Sequence, residues 1–207
     1  GYSVTVTGTG FSYLNGTPTA GRMSSVTVRD ADGDIVMTIS GLAAGTIASD
    51  LQQFQANVFG FNGGSGRSVM AAWNYLLSGN DTITGSTGDD WQGLVGLNTG
   101  NNLFNMRGGD DYVNAGAGRD TINGGDGDDM LSYGETHYDI GQTAFRGIVV
   151  NVGAGTVLDC WGNTDRFSSI ETFEGSRFAD RFTGSANRDE FRGLRGADTI
   201  IGGGESD

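Results

Sequence analysis

A nine-residue beat constrains this chain more than any other feature. Its sharpest unit is GGDGDDMLS at 124–132, preceded in frame by AGAGRDTIN from 115, MRGGDDYVN from 106 and LNTGNNLFN from 97. A three-residue insertion, Leu94 to Gly96, separates these from GSTGDDWQG at 85 and LLSGNDTIT at 76. Glycine holds the fourth position of all six units: Gly79, Gly88, Gly100, Gly109, Gly118 and Gly127. The sixth carries Asp81, Asp90, Asn102, Asp111, Asp120 and Asp129, and the eighth Ile83, Gln92, Phe104, Val113, Ile122 and Leu131. A looser block, GSRFADRFT, GSANRDEFR, GLRGADTII and the incomplete GGGESD, runs from Gly175. It keeps Asp180, Asp189, Asp198 and Asp207 at the sixth position and Phe182, Phe191 and Ile200 at the eighth, while the fourth drifts to Phe178, Asn187, Gly196 and Glu205.

Glycines in this phase allow a tight turn with positive φ, after which a short strand turns its eighth residue inward. Two successive units then make one coil, so that units two apart stack and their turns lie side by side. Composition agrees with ordered turns: glycine supplies 38 residues, but proline occurs once and aromatics reach 10%. Charge narrows the chemistry further. The chain has 25 acidic and 12 basic residues, every base an arginine, for a net charge of −13. Such an excess repels polyanions, which excludes nucleic acid as a partner, and opposes compaction unless cations neutralise it. Calcium, which takes several oxygen ligands including carboxylates, is the natural ion.

The units resemble the RTX, or haemolysin-type, nonapeptide GGxGxDxUx. The resemblance covers residues 76 to 132 and 175 to 207. It implies a mainly β fold, a calcium-bound parallel β-roll (β-solenoid) holding several Ca2+ ions between turns of units two apart. Carried onto this chain, turn 106–111 faces turn 124–129. Asp111 and Asp129 are then side-chain ligands, and the carbonyls of Arg107, Gly109, Gly124 and Asp126 complete the shell. By the same rule Asn102 pairs with Asp120, Asp90 with Asp111, Asp180 with Asp198 and Asp189 with Asp207; the insertion bears on Asp81 and Asp90. The resemblance also implies one-step export from a bacterium, with folding on calcium outside the cell. Any export signal is expected outside these residues.

Four segments follow. Residues 76–132 and 175–207 are the two repeat blocks, the second incomplete. Between them, 133–174 lacks the glycine beat but contains IVVNV from Ile148, TVL from Thr156 and FSSIETFEGS from Phe167. Its DxFSSIE step looks like the linking segment of RTX arrays, and it is expected to add further β-coils with Ile148, Val150, Val152, Val157 and Ile170 facing inward. Residues 1–75 have another texture. Val4 and Val6, Val26 and Val28, then Ile35, Met37 and Ile39 alternate as strands do, with Asp32-Gly33 as a hairpin turn. Leu51, Phe54 and Val58, then Val69, Trp73, Leu76 and Leu77, fit helical faces. The expectation is a small α+β cap over the first coil.

Catalytic patterns are wanting. The one histidine, His137, rules out the HExxH of zinc proteases, and GGSGR from Gly63 lacks the closing glycine of GxSxG. The one cysteine, Cys160, reads as a small buried hydrophobe and not as a nucleophile with His137. DADGD at 30–34 has Gly41 where a calcium-binding helix–loop–helix needs its closing glutamate, and is a hairpin turn instead. The arginines between 177 and 195 belong to a solvated face. No stretch is long enough to span a membrane. The expected product is not an enzyme but a secreted structural or adhesive component of a surface, matrix or filament, with like chains or matrix components as partners. Two other classes fit the same sequence: the secretion and folding module of a larger enzyme of protease, lipase or epimerase type, and a calcium-dependent carbohydrate or ligand binder.

Overall fold

The structure, a computed structural model, describes residues 3–14, 17–29, 35–40, 80–92, 100–134 and 144–204. These residues are mainly β, and among them the only helical turn is a 3-10 turn at Val152–Ala154. The first repeat block forms β4 (Thr82–Thr84), β5 (Trp91–Gln92), β6 (Leu103–Gly108), β7 (Tyr112–Asn114), β8 (Thr121–Asp126) and β9 (Met130–Ser132), numbered after three N-terminal strands described below. Every one begins at the seventh residue of its unit, directly after the sixth-position acid or asparagine. Strands of successive units alternate between two sheets, and strands of units two apart pair in parallel: β4 with β6 and β6 with β8 in one sheet, β5 with β7 and β7 with β9 in the other. The pairing absorbs the insertion, since Thr82 lies opposite Leu103 while Leu103 lies opposite Thr121.

Stacking of turn on turn explains the later fourth-position glycines. Gly118 and Gly127 have φ of +146° and +138°, and a Cβ on either would collide with the carbonyl of the residue two units back, Gly100 or Gly109. Only glycine both reaches that backbone region and leaves that space.

The eighth residues form the core. Ile83, Phe104, Val113, Ile122, Leu131 and Phe182 are all buried in one cluster with Ile148, Val150, Val157, Phe173 and Tyr133. Burying each such side chain contributes roughly 1.5–3 kcal/mol. Ile148, Val150, Val157 and Ile170 are buried as expected, and Val152 packs partly buried against the cluster. Ile200 departs from expectation at 51% exposed. Its strand, β16 (Thr199–Ile201), ends its sheet after pairing with β14 (Arg181–Thr183), and among the described residues no strand lies beyond it.

One segment departs from the sequence reading. The linking segment does not add coils of the same kind. Of its strands β10 (Val149–Asn151), β11 (Thr156–Leu158) and β12 (Thr164–Ser168), the middle one runs antiparallel to both neighbours within the first sheet, β12 joining β8 and β10 joining β14 in parallel. The other sheet takes a single strand over the same interval, β13 (Thr172–Glu174), between β9 and β15 (Glu190–Arg192). Antiparallel neighbours need only a short turn between them, so this stretch stays in one sheet instead of crossing to the other with each strand.

At the other end, β1 (Ser3–Leu14), β2 (Thr17–Arg29) and β3 (Ile35–Ser40) form an antiparallel meander, with Val4 opposite Val28 and Val28 opposite Met37. β3 pairs antiparallel with β4, Ile39 opposite Ile83, and so satisfies the edge of the repeat stack with main-chain hydrogen bonds. The helical faces expected over residues 51–77 and the Asp32-Gly33 turn lie outside the described residues.

Candidate functional site

The sixth-position side chains form two internal ladders. In one, Asn102 Oδ1 accepts from the Asp81 N–H (2.9 Å), Asp120 Oδ1 from Asn102 (2.7 Å) and Asp165 Oδ1 from Asp120 (2.9 Å). In the other, Asp111 Oδ1 accepts from the Asp90 N–H (2.7 Å), Asp129 Oδ1 from Asp111 (2.9 Å) and Glu171 Oε2 from Asp129 (2.8 Å). The second block continues in the same way: Asp180 Oδ1 accepts from the Ile148 N–H (2.7 Å) and Asp198 Oδ1 from Asp180 (2.9 Å). The structure thus makes neighbours of Asn102 and Asp120, Asp90 and Asp111, Asp111 and Asp129, and Asp180 and Asp198. Asp189 is buried, whereas its expected partner Asp207 lies outside the described residues.

What the second carboxylate oxygen does divides these residues into two kinds. Asp90 Oδ2 accepts from the Ser86 N–H (2.6 Å), Asp180 Oδ2 from Ser176 (2.7 Å) and Asp189 Oδ2 from Ser185 (2.6 Å). Each of these aspartates caps its own Gly-Ser turn, a common use of aspartate. In the turns that lack this serine, Asp111 Oδ2, Asp120 Oδ2 and Asp129 Oδ2 are buried without a hydrogen-bond partner. A buried carboxylate oxygen left unsatisfied costs several kcal/mol, so these three positions call for a proton or a cation.

The electrostatics agree. Burial, reinforced by neighbouring carboxylates, pushes Asp111 up to about 7 and Asp120 up to about 8, and raises Asp129. None of the three, nor Asp165, forms an ion pair with a described arginine; Arg192 pairs with Glu190 on the surface at 2.8 Å. Among the described residues no three acidic, histidine or cysteine side chains converge to hold a metal by themselves. A cation at these oxygens therefore needs main-chain carbonyls, which suits calcium with its six to eight oxygen ligands.

The turns are placed to supply them. Turn 106–111 lies against turn 124–129 with Arg107 opposite Gly125 and Gly108 opposite Asp126. The Arg107 carbonyl abuts Gly125, the Gly109 carbonyl abuts Gly127, and Gly124 packs on Asp129 Oδ2. The Asp126 carbonyl accepts from the Gly109 N–H at 2.9 Å, so one of its lone pairs is committed to holding the turns together.

Acids at the fifth position do more than face solvent. Asp89 Oδ1 accepts from the Asp110 N–H and Asp110 Oδ1 from Asp128, both at 2.9 Å, forming an exposed outer ladder that staples successive turns. Three acids outside the glycine beat also join the site region: Asp159 and Asp165, fully buried, and Glu171, half-buried. The signal for two of them lay in the string DRFSSIE, which sets Asp165 and Glu171 directly before residues paired with seventh-position residues, Arg166 opposite Thr121 and Thr172 opposite Met130. Cys160 is fully buried, and burial pushes its thiol up to about 12, as befits a core residue. His137 lies outside the described residues.

Comparison with protein families matches the chain to the RTX calcium-binding nonapeptide repeat in four copies, over residues 76–91, 107–136 and 171–207. Among curated proteins there was no match. The matched residues contain Asp111, Asp120 and Asp129, whose second oxygens are unsatisfied, and leave out Asp165.

Proposed function

From a chain that carries RTX calcium-binding nonapeptide repeats, we infer a secreted protein that folds as a parallel β-roll on calcium and serves as a structural or adhesive component outside the cell. The observation that carries the calcium reading is the set of buried, unsatisfied oxygens on Asp111, Asp120 and Asp129. Around each, one carboxylate oxygen fixes the neighbouring turn through its N–H and the other is left for the ion. Ca2+ would be held there by that oxygen together with turn carbonyls such as those of Arg107 and Gly109. The ion supplies positive charge where no described arginine pairs with the carboxylates, and so joins two turns that would otherwise repel.

Export fits this chemistry. Proteins with this repeat are typically exported in one step, and a chain of net charge −13 resists compaction where calcium is scarce. Binding to the folded state alone then drives folding where calcium is plentiful. A structural role is supported by the sequence, which has one histidine and one cysteine and neither HExxH nor GxSxG.

The test is calcium titration of chelator-stripped protein, with circular dichroism and a count of bound ions. A cooperative gain of β-structure is expected, and an unchanged spectrum overturns the reading. For the structural role, sedimentation with and without calcium should show like chains associating when loaded; a monomer at all concentrations speaks against it.

A further inference from the structure

We propose a cation site outside the nonapeptide pattern, at the junction of the first repeat block and the linking segment, in which Asp120 and Asp165 hold one calcium ion and Asp159 supplies charge beside them. The proposal rests on the calcium reading above. It assigns a ligand role to a residue, Asp165, that lies outside every matched repeat.

The backbone puts Asp165 where a sixth-position residue belongs. β12 pairs in parallel with β8 with Arg166 opposite Thr121, and the Arg166 N–H donates to the Asp120 carbonyl at 2.9 Å. Asp165 therefore lies beside Asp120 as Asp120 lies beside Asn102, and its Oδ1 accepts from the Asp120 N–H at 2.9 Å. The loop before it, DCWGNTD at 159–165, takes the place of a repeat turn. Gly162 there has φ +88°, the left-handed geometry that Gly118 supplies in turn 115–120.

The charges require something more. Asp120, Asp159 and Asp165 are 2%, 0% and 0% exposed, and none pairs with a described arginine. Asp159 is fully engaged, its Oδ1 accepting from the Trp161 (3.0 Å) and Asn163 (2.6 Å) N–H groups and its Oδ2 from Asn163 Nδ2 (3.1 Å). Asp165 Oδ2 accepts from the Tyr133 hydroxyl at 2.6 Å. Asp120 Oδ2 has no hydrogen-bond partner. Three buried carboxylates with one unsatisfied oxygen form a strongly negative site whose donors are all oxygen, the preference of a hard divalent cation. Because the three side chains do not by themselves enclose an ion, carbonyl oxygens of the two facing loops complete the shell. Calcium, with its flexible geometry and high coordination number, accepts such a set where a small octahedral ion does not.

The consequence is that calcium continues across the linking segment instead of stopping at the end of the first block. The experiment uses the full chain, stripped and reloaded, with ions counted by elemental analysis after gel filtration. Asp165→Asn should bind one calcium fewer than the parent and keep its β-sheet spectrum. Equal ion counts in a folded Asp165→Asn overturn the proposal while leaving the repeat sites intact. Should that variant fail to fold, Tyr133→Phe decides, because it removes no ligand: its calcium count should be unchanged, and terbium luminescence sensitised through tyrosine should fall. Undiminished terbium emission in Tyr133→Phe also overturns the proposal. A parent protein that binds no calcium refutes the calcium reading itself, a result distinct from either of these.

Discussion

Asp129→Asn and Asp180→Asn, compared with and without calcium, separate a residue that holds an ion from one that caps its turn. In Asp129→Asn the amide oxygen can still accept from the Asp111 N–H, as Oδ1 does now at 2.9 Å, while the unsatisfied Oδ2 and its charge are lost. Stability in chelator should not fall, and should rise where the lost charge was buried and unpaired. In calcium at 100 times the dissociation constant, one lost site removes about 2.7 kcal/mol. For a chain of this size that lowers Tm by roughly 5–11 °C. Asp180→Asn behaves in the opposite way. Asp180 accepts from the Ile148 N–H (2.7 Å), the Ser176 N–H (2.7 Å) and Ser176 Oγ (2.8 Å), and an amide cannot keep all three. Losing one buried hydrogen bond to a charged acceptor costs about 1.5–3 kcal/mol, the same with calcium as without. Thermal melts of both variants and the parent in chelator and in excess calcium make the measurement. If the two substitutions show the same calcium dependence, the division between ion-holding and turn-capping aspartates is wrong.

Gly127→Ala should destabilise the protein by more than the ~1–2 kcal/mol of left-handed strain alone, since its Cβ would also meet the Gly109 carbonyl; urea denaturation in saturating calcium measures the loss, and a change below about 0.5 kcal/mol would show that the turns are not stacked closely. In chelator, stability should rise as pH falls. Asp111, Asp120 and Asp165, raised to about 7, 8 and 7 by burial, take up protons in the folded state at a pH where the unfolded chain stays ionised. The gain should therefore be complete below about pH 4 and be lost as pH climbs through 7 to 8, and calcium affinity should run the other way, since the ion competes with those protons. A metal-free stability that increases between pH 5 and 8 would contradict this.

The sequence by itself determined the repeat: its phase, the turn glycines, the start of each strand after a sixth-position residue, and the eighth residue as core. These are local properties. A nine-residue unit carries its own turn chemistry and its own alternation, so stacking units two apart places Asp111 beside Asp129 and Asn102 beside Asp120 without further information. It also marked Asp165 and Glu171, through the step before each strand, though not their place in the ladders. What only the tertiary structure decided is which oxygens remain unsatisfied. A serine four residues back lets Asp90, Asp180 and Asp189 fold onto their own turns, whereas Asp111, Asp120 and Asp129 lack that donor and are buried with one oxygen empty-handed. The antiparallel path of β10 to β12, the edge-to-edge joining of β3 and β4, and the exposure of Ile200 belong to the same class. Each depends on which strand arrives at a given edge, and that is set by pairing between segments distant in the chain, which no local pattern encodes.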